Sequence, residues 1–502
     1  MTMPESQAVT AAEDMIPLTT LEQSVESGCH NSSEQYEAAQ AAGKSETLEQ
    51  YAKDYPQGPH DQPQSMCPAF GSLRVGLRMR RTATVLSGSA CCVYGLTFTS
   101  HFYGAKRTVG YVPFDSETLV TGKLFEDIRD ATHDLADPDK YDAIVVINLC
   151  VPTASGVPLD LLPKAINGVR VIGIDVPGFG VPTHAEAKDI LAAAMLRYAR
   201  SEAEQGPVAR PASADINSDK PSVALLGEIF PVDAITINGL LQPLGASAGP
   251  VVPTREWREL YAALNCDLVA ALHPHYTASQ REFSKAGRAT IGSAPVGVEG
   301  TVRWLEQVAE HLNLNKETLS KHCDELRNSI SAVIADHPIN ARITLSGYEG
   351  SELLVARLLI ECGADVPYVG TACASTPWSA EDRAWLEARG VEIRFRASLE
   401  DDVSAIDFLK PDLAIGTTPV VQHAKEHHIP GLYFTNLISA RPLMGPAGAG
   451  SLAGIVNGAI ENKHRFETME AFFEGVGKND SAGIWTPEIA RTAGLLTPKE
   501  AV

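Results

Sequence analysis

Continuous apolar runs, rather than alternating ones, set the pattern of this chain. Residues 142–149 are almost wholly apolar, with Ala143-Ile144-Val145-Val146-Ile147 at their centre. A strand of that composition is buried on both faces, as the strands of parallel sheets are. Similar runs recur at Thr82-Ala83-Thr84-Val85-Leu86, at Val169–Asp175, at Val223–Glu228 and at Asp267–Leu272. Further runs lie at Arg342–Gly347, Val366–Val369, Pro411–Gly416 and His428–Tyr433. Helical stretches fall between them: from about Val93, over 119–135, over 183–204, from Ala234 to Leu244 before Gly245, over 301–334, and from Glu352 to Cys362 before Gly363. Strand and helix in alternation predict an α/β chain with parallel sheets and helices on both faces.

The alternation restarts twice, so the expected fold is three tandem Rossmann-like, doubly wound domains. Their expected limits are 66–205, 222–336 and 340–502, the last carrying a C-terminal extension. A stretch rich in Pro, Ser, Ala and Asp at 205–221 reads as a linker, and His337-Pro338 marks the second boundary. Residues 1–65 are rich in Glu, Gln, Ser and Ala and form a polar N-terminal arm, expected to be mobile or weakly helical and able to wrap a partner. Within it, Gly43-Lys44-Ser45 mimics the end of a phosphate-binding loop, but the required earlier glycine is Ala38, so it reads as a polar turn.

Charge narrows the classes of partner. The 502 residues carry a formal net charge of −21, which disfavours nucleic acid and anionic membrane surfaces. No apolar run approaches the roughly 20 residues of a membrane helix. The polar N-terminus shows no export signal, so the expected location is the cytoplasm. In that reducing setting nine irregularly spaced cysteines are buried thiols, metal ligands or catalytic groups rather than disulfides.

Three of those cysteines stand in loop-like settings. Cys67 opens Cys67-Pro68-Ala69-Phe70-Gly71, Cys92 ends Ser87-Gly88-Ser89-Ala90-Cys91-Cys92, and Cys150 closes the most apolar run. Open α/β sheets place their sites at the carboxyl ends of strands. A [4Fe-4S] cluster needs four ligands, usually thiolates. Three thiols without an evident fourth predict a cluster site completed by a second chain. The spacings of 25 and 58 residues match no short motif. Cys91 and Cys92 are adjacent, so one of the two is expected to pack rather than ligate. Cys266, Cys323 and Cys362 fit helix or strand cores, and Cys373 falls on a loop. His273-Pro274-His275-Tyr276 reads as a satisfied turn. His423 and His427 are four apart on a helix before Pro430, a spacing that suits a metal, with His428 beside them. Gly178-Phe179-Gly180 lacks the third glycine of a dinucleotide loop, and neither a zinc-protease helix nor a serine nucleophile elbow is found.

Several stretches carry a family resemblance. They are Cys67–Gly71, Ser87–Gly95, Gly110-Tyr111-Val112-Pro113 with Ser116–Gly122, Leu226-Gly227-Glu228 and Pro411–Gly416. On these the chain, from about residue 65 to its C-terminus, resembles the nitrogenase-like oxidoreductase subunits, and among them those that reduce chlorophyllide a. The resemblance implies three Rossmann-like domains per subunit. It implies that Cys67, Cys92 and Cys150 are the cluster ligands, Cys92 rather than Cys91 because the family's ligand falls four residues after the glycine at position 88. It implies a fourth ligand from a Z-type partner subunit, in an assembly of two copies of each chain. It further implies transient docking of a homodimeric iron–sulfur reductase that uses ATP, so that ATP is not bound here, and electron delivery to the ring-B double bond of chlorophyllide a in bacteriochlorophyll biosynthesis. Between Tyr276 and Glu310 there is no Cys or His, which argues against nitrogenase's second metal cofactor and for an organic substrate. The alternatives are a light-independent protochlorophyllide reductase N subunit, a non-catalytic scaffold for cofactor assembly, or a small-molecule binding protein with inert cysteines.

Overall fold

The computed structural model describes residues 65–102, 109–205, 220–227, 234–439 and 442–467. The N-terminal arm, Cys29, most of the linker and most of the C-terminal extension lie outside the described residues.

Three sheets form where the apolar runs predict strands. The first comprises β1 (Thr82–Gly88), β2 (Val109–Pro113), β3 (Ala143–Asn148), β4 (Ala165–Ile166) and β5 (Val169–Asp175), in the order β2-β1-β3-β5-β4. Its first four members are parallel, and β4 pairs antiparallel with β5. The second comprises β6 (Ser222–Leu226), β7 (Ser247–Val252), β8 (Leu268–Ala271) and β9 (Ala289–Gly292), ordered β7-β6-β8-β9, with β6 and β8 parallel. The third comprises β10 (Arg342–Gly347), β11 (Asp365–Thr371), β12 (Glu392–Phe395), β13 (Leu413–Gly416) and β14 (Gly431–Tyr433), parallel throughout in the order β12-β11-β10-β13-β14. Two compact units result. Among the described residues, one is built on those up to Gly227 with 249–290 and 372–376, the other on 234–248, 291–371 and those from Pro377 to residue 467.

Within the first unit, β3 shows why an unbroken apolar run makes a central strand. Successive side chains point to opposite faces. Ala143, Val145 and Ile147 enter one core, while Ile144 and Val146 enter another across the sheet. All six residues of the strand are buried. Truncating such a residue to Ala typically costs about 2–5 kcal/mol.

The first core is closed by two helices, α1 (Pro68–Arg78) and, after α2 (Ala90–Phe102) and the short α3 (Cys150–Ala154), the long α4 (His184–Gln205). The helices α1 and α4 touch backbone to backbone. A Cβ on Gly71 would lie 1.8 Å from the His184 carbonyl oxygen, so only glycine permits the crossing. Ser72 Oγ donates to the Ala187 carbonyl at 2.6 Å, and the His184 N–H donates to Ser65 Oγ at 3.0 Å. The chain just before Cys67 is thereby tied to the start of α4.

Some sequence expectations need correction. The helix expected over 119–135 is two, Ser116–Thr121 and Leu124–Leu135, because Gly122 adopts a left-handed conformation that ends the first. The stretch 301–334, expected to be mostly helical, forms two helices, Gly297–Leu312 and Lys316–Asp336, with left-handed Asn313 between them. The helix expected from Val93 begins at Ala90.

In the second unit two buried carboxyls face the ends of β10 and β11, near α5 (Glu352–Glu361) and α6 (Leu399–Leu409). Glu352 accepts from the Glu349 and Gly350 amides and from Thr371 Oγ1 at 2.8, 3.0 and 2.9 Å. Tyr368 donates its hydroxyl to Asp402 Oδ1 at 2.9 Å. Burial pushes Glu352 up to about 7, against the opposing hydrogen bonds. Burial above all pushes Asp402 up to about 8, the negative Asp401 and Glu352 adding to it while Tyr368 and Ser346 oppose it. A carboxyl raised in this way stabilises the fold fully below its unfolded pKa of about 4, and that share is lost as pH rises through its folded pKa. Asp402→Asn removes the titration. Relative to wild type, the variant should therefore gain stability between pH 5 and pH 8, on the order of 4 kcal/mol. Denaturant unfolding of both proteins across that range checks it, and a difference independent of pH would contradict it.

Candidate metal centre

Three neighbouring parallel strands of the first sheet end in register. Ser87 lies opposite Asn148, and Asn148 opposite Asp175. Each strand then turns into a segment bearing one of the site's groups. After β1 comes α2, with Cys91 and Cys92 in its first turn. After β3 comes α3, whose first residue is Cys150. After β5 comes Val176-Pro177-Gly178. Asn148 Nδ2 and Thr153 Oγ1 both donate to Asp175 Oδ1 at 3.0 Å, which locks the ends of β3 and β5 together. A Cβ on Gly88 would sit 2.7 Å from Leu149 Cδ1, so glycine is what lets the ends of β1 and β3 approach. The Gly178 N–H donates to Cys150 Sγ at 3.0 Å.

Cys67 arrives from a different direction. It is the N-cap of α1, with Pro68 at the first helical position, where a missing N–H costs nothing. All three cysteines therefore stand at helix N-termini, not in the loops the sequence suggests. At Cys67 the amides of Ala69 and Phe70 favour the thiolate against burial.

The thiols sense one another. Burial pushes the Cys67 thiol up most, the Ala69 and Phe70 amides oppose this, and a charge on Cys150 adds to the rise. Cys92 is raised first by burial, then by Cys91, and also by charge on Cys150 and on Cys67. Cys91 differs. Its Sγ lies 3.0 Å from Ser89 Oγ, and that hydrogen bond is the main reason its pKa falls below the usual thiol value, with Cys92 the next contributor. Of the adjacent pair, Cys92 is the one grouped electrostatically with the two distant thiols.

The donor set suits a multi-atom group more than a single ion. Among the described residues, the one set of three His, Cys, Asp or Glu side chains whose ligand atoms all lie within 4.8 Å of one another is Asp407, His423 and His427, so the three thiols are spread more widely than that. Cys67, Cys91 and Cys92 are exposed and Cys150 is half-buried. Apolar residues beside them are exposed as well: Tyr94 at 73%, Phe179 at 60% and Val151 at 40%. These observations fit an iron–sulfur cluster held by thiolates at an open face.

The remaining described cysteines are buried, as expected for Cys266, Cys323 and Cys362. Desolvation pushes Cys266 up to about 11 and Cys362 up to about 12, which leaves them inert. Cys373 also is buried, directly after β11. His273 and His275 are buried in the turn after β8, with rings stacked 5.5 Å apart. Of the three clustered histidines only His423 lies on the helix Thr418–Glu426; His427 caps it and His428 turns left-handed. Gly178 is a group that sequence reasoning missed. Its glycine pair read as an incomplete dinucleotide loop, and the usable signal was its position after a buried strand beside β3.

The nitrogenase component 1 type oxidoreductase family matches residues 67–461. The chain is 66% identical over 458 residues to the chlorophyllide reductase 52.5 kDa chain of Cereibacter sphaeroides, covering 91% of each chain. It is 64% identical over 467 residues to the chain of the same name from Rhodobacter capsulatus, covering 92% of this chain and 94% of that one. Similarity to a light-independent protochlorophyllide reductase subunit N from Synechococcus is 23% over 252 residues, 49% of this chain and 58% of that one. A solved structure titled nitrogenase Cp1 at pH 6.5 shares the fold, with a TM-score of 0.65 at 18% identity over 82% of this chain and 95% of that chain.

Because Ser89 lowers the Cys91 pKa, iodoacetamide should modify Cys91 faster than Cys92 in metal-free protein at neutral pH. Ser89→Ala should slow Cys91 several-fold and leave Cys92 less affected. Mass spectrometry of timed samples checks both rates, and equal rates at Cys91 with and without Ser89 would contradict the assignment.

Proposed function

The chain belongs to the nitrogenase component 1 type oxidoreductase family, and on that premise we propose that it is the Y-type catalytic subunit of chlorophyllide a reductase, with Cys67, Cys92 and Cys150 holding a [4Fe-4S] cluster shared with a Z-type partner. The two close relatives named chlorophyllide reductase, which match nearly the whole chain, support the reaction. The observation that carries the site is geometric: Cys92 and Cys150 open the segments that follow two paired parallel strands ending in register, and charge on Cys150 and Cys67 reaches Cys92.

In this reading a bound cluster supplies one-electron transfer. This chain's residues do the rest. The Ala69 and Phe70 amides at the start of α1 oppose the desolvation of Cys67, and the Gly178 amide donates to the Cys150 sulfur. Tyr94, Val151 and Phe179 offer an apolar rim that a partner subunit covers, excluding water from the sulfurs. The partner adds the fourth ligand, and two copies of each chain make a Y2Z2 heterotetramer. A separate homodimeric iron–sulfur reductase docks transiently and consumes ATP. Two electrons and two protons are taken up at the ring-B double bond of chlorophyllide a, a step of bacteriochlorophyll biosynthesis. Among the described residues no helix is long and apolar enough to cross a membrane. The protochlorophyllide reductase N subunit is the weaker reading, since identity to such chains is far lower and covers half of this one.

The test is single replacement in the co-expressed complex, purified without oxygen. Cys67→Ser, Cys92→Ser and Cys150→Ser should each strip most iron and acid-labile sulfide and abolish pigment reduction with reductase and ATP. Cys91→Ser should keep both. Loss of iron from Cys91→Ser, with retention in Cys92→Ser, would reverse the ligand assignment.

A further inference from the structure

A second cluster of ligand groups lies in the other unit, away from these thiols in sequence and chemistry. Asp407 sits in the last turn of α6, and His423 and His427 lie on α7 (Thr418–Glu426) and at its C-cap. The two helices pack against each other. His423 Nε2 is 2.9 Å from Asp407 Oδ1, and His427 Nε2 is 3.8 Å from the same oxygen. The imidazole rings are 4.3 Å apart between centroids. His427 Nδ1 donates to the His423 carbonyl at 2.9 Å, which fixes the tautomer and leaves its Nε2 lone pair facing Asp407. One nitrogen from each ring and one carboxylate oxygen thus converge within 4.8 Å.

The electrostatic setting favours a cation. Both helices present their C-terminal ends here, where the helix dipole is negative, with Lys425 the one lysine in the last turn of α7. Asp407 adds a full negative charge in a last turn that has no basic residue to offset it, an unfavourable position for a carboxylate by itself. Asp407 and His427 are exposed and His423 is half-buried, so an ion can enter from solvent and keep water on its open positions.

We propose that Asp407, His423 and His427 form a binding site for a first-row divalent cation of the zinc class, which cross-links α6 to α7. Two imidazoles and one carboxylate are a ligand set that zinc accepts, with water completing the tetrahedron. The absence of sulfur donors separates this site from the cysteine cluster and directs it to borderline cations. By linking two helices beside β13 and β14, the ion stabilises the native state in proportion to its occupancy.

The experiment uses the full-length chain in its iron-loaded complex under anaerobic conditions, so that the thiols are already engaged. Zinc chloride is titrated by calorimetry, and thermal unfolding is followed with and without excess zinc. One equivalent per chain is expected, with an upward shift of the unfolding temperature. His427→Ala and Asp407→Asn, both at the surface, should each weaken binding roughly tenfold or more and remove the shift. Cobalt chloride, as a spectroscopic substitute, should give visible d–d bands without a thiolate charge-transfer band. Zinc binding that survives both variants, a cobalt spectrum showing sulfur ligation, or no binding at all would overturn the proposal, the last leaving Asp407 and His423 as a simple ion pair.

Discussion

The account rests on one constraint: three adjacent parallel strands end in register, so whatever follows them is brought to a common edge. Main-chain pairing sets the register, and the turns after β1, β3 and β5 have no freedom to diverge far. Proximity then depends on missing side chains. Gly88 lets Leu149 lie against the end of β1, Gly178 brings an amide to Cys150, and Gly71 lets α1 cross α4 so that Cys67 starts its helix where α4 begins. The cysteines are far apart in sequence because each belongs to a different strand–helix crossover. Their grouping follows from the sheet and does not require local sequence motifs.

The same framework sorts cysteines by environment. Where desolvation outweighs what opposes it, as at Cys266 and Cys362, the thiol is raised to about 11 or 12 and stays protonated. At the sheet edge the Ala69 and Phe70 amides work against the desolvation of Cys67, the Gly178 amide donates to Cys150, and the residues keep solvent exposure. The net charge of −21 makes the contrast sharper, because anionic sulfur in so acidic a protein needs local donors to be tolerated. Exposed Tyr94, Val151 and Phe179 are the complement of that local polarity: an apolar border that a partner can seal.

Much of this was legible in the amino-acid pattern. The limits of β5 and β10 coincide with their apolar runs, because a central parallel strand is apolar on both faces and has no polar register to blur its ends. The edge strand β2 was not legible as a strand: its residues are partly exposed and two are glycine and proline. The helical setting of Cys67 was hidden by Pro68 and the small residues after it, which look like a turn, although proline is favoured at a first helical position. Gly122 and Asn313 broke helices that periodicity alone runs together. The passage of 234–248 into the second unit could not be foreseen, since contact between distant segments leaves no local signal. For the site, cysteine type and strand-end position identified the residues, but the choice between Cys91 and Cys92 came from resemblance. The structure adds a physical difference between them: charge on Cys67 and Cys150 raises the Cys92 thiol, whereas the Ser89 hydrogen bond lowers Cys91.

The most direct measurement is an anaerobic structure of this chain bound to its partner, with anomalous scattering recorded at the iron edge. The account predicts a single compact iron signal at the carboxyl edge of the first sheet, bonded to the sulfurs of Cys67, Cys92 and Cys150 and to a ligand from the other polypeptide. Iron bonded to Cys91 in place of Cys92, or a cluster whose ligands all come from this one chain, would contradict it.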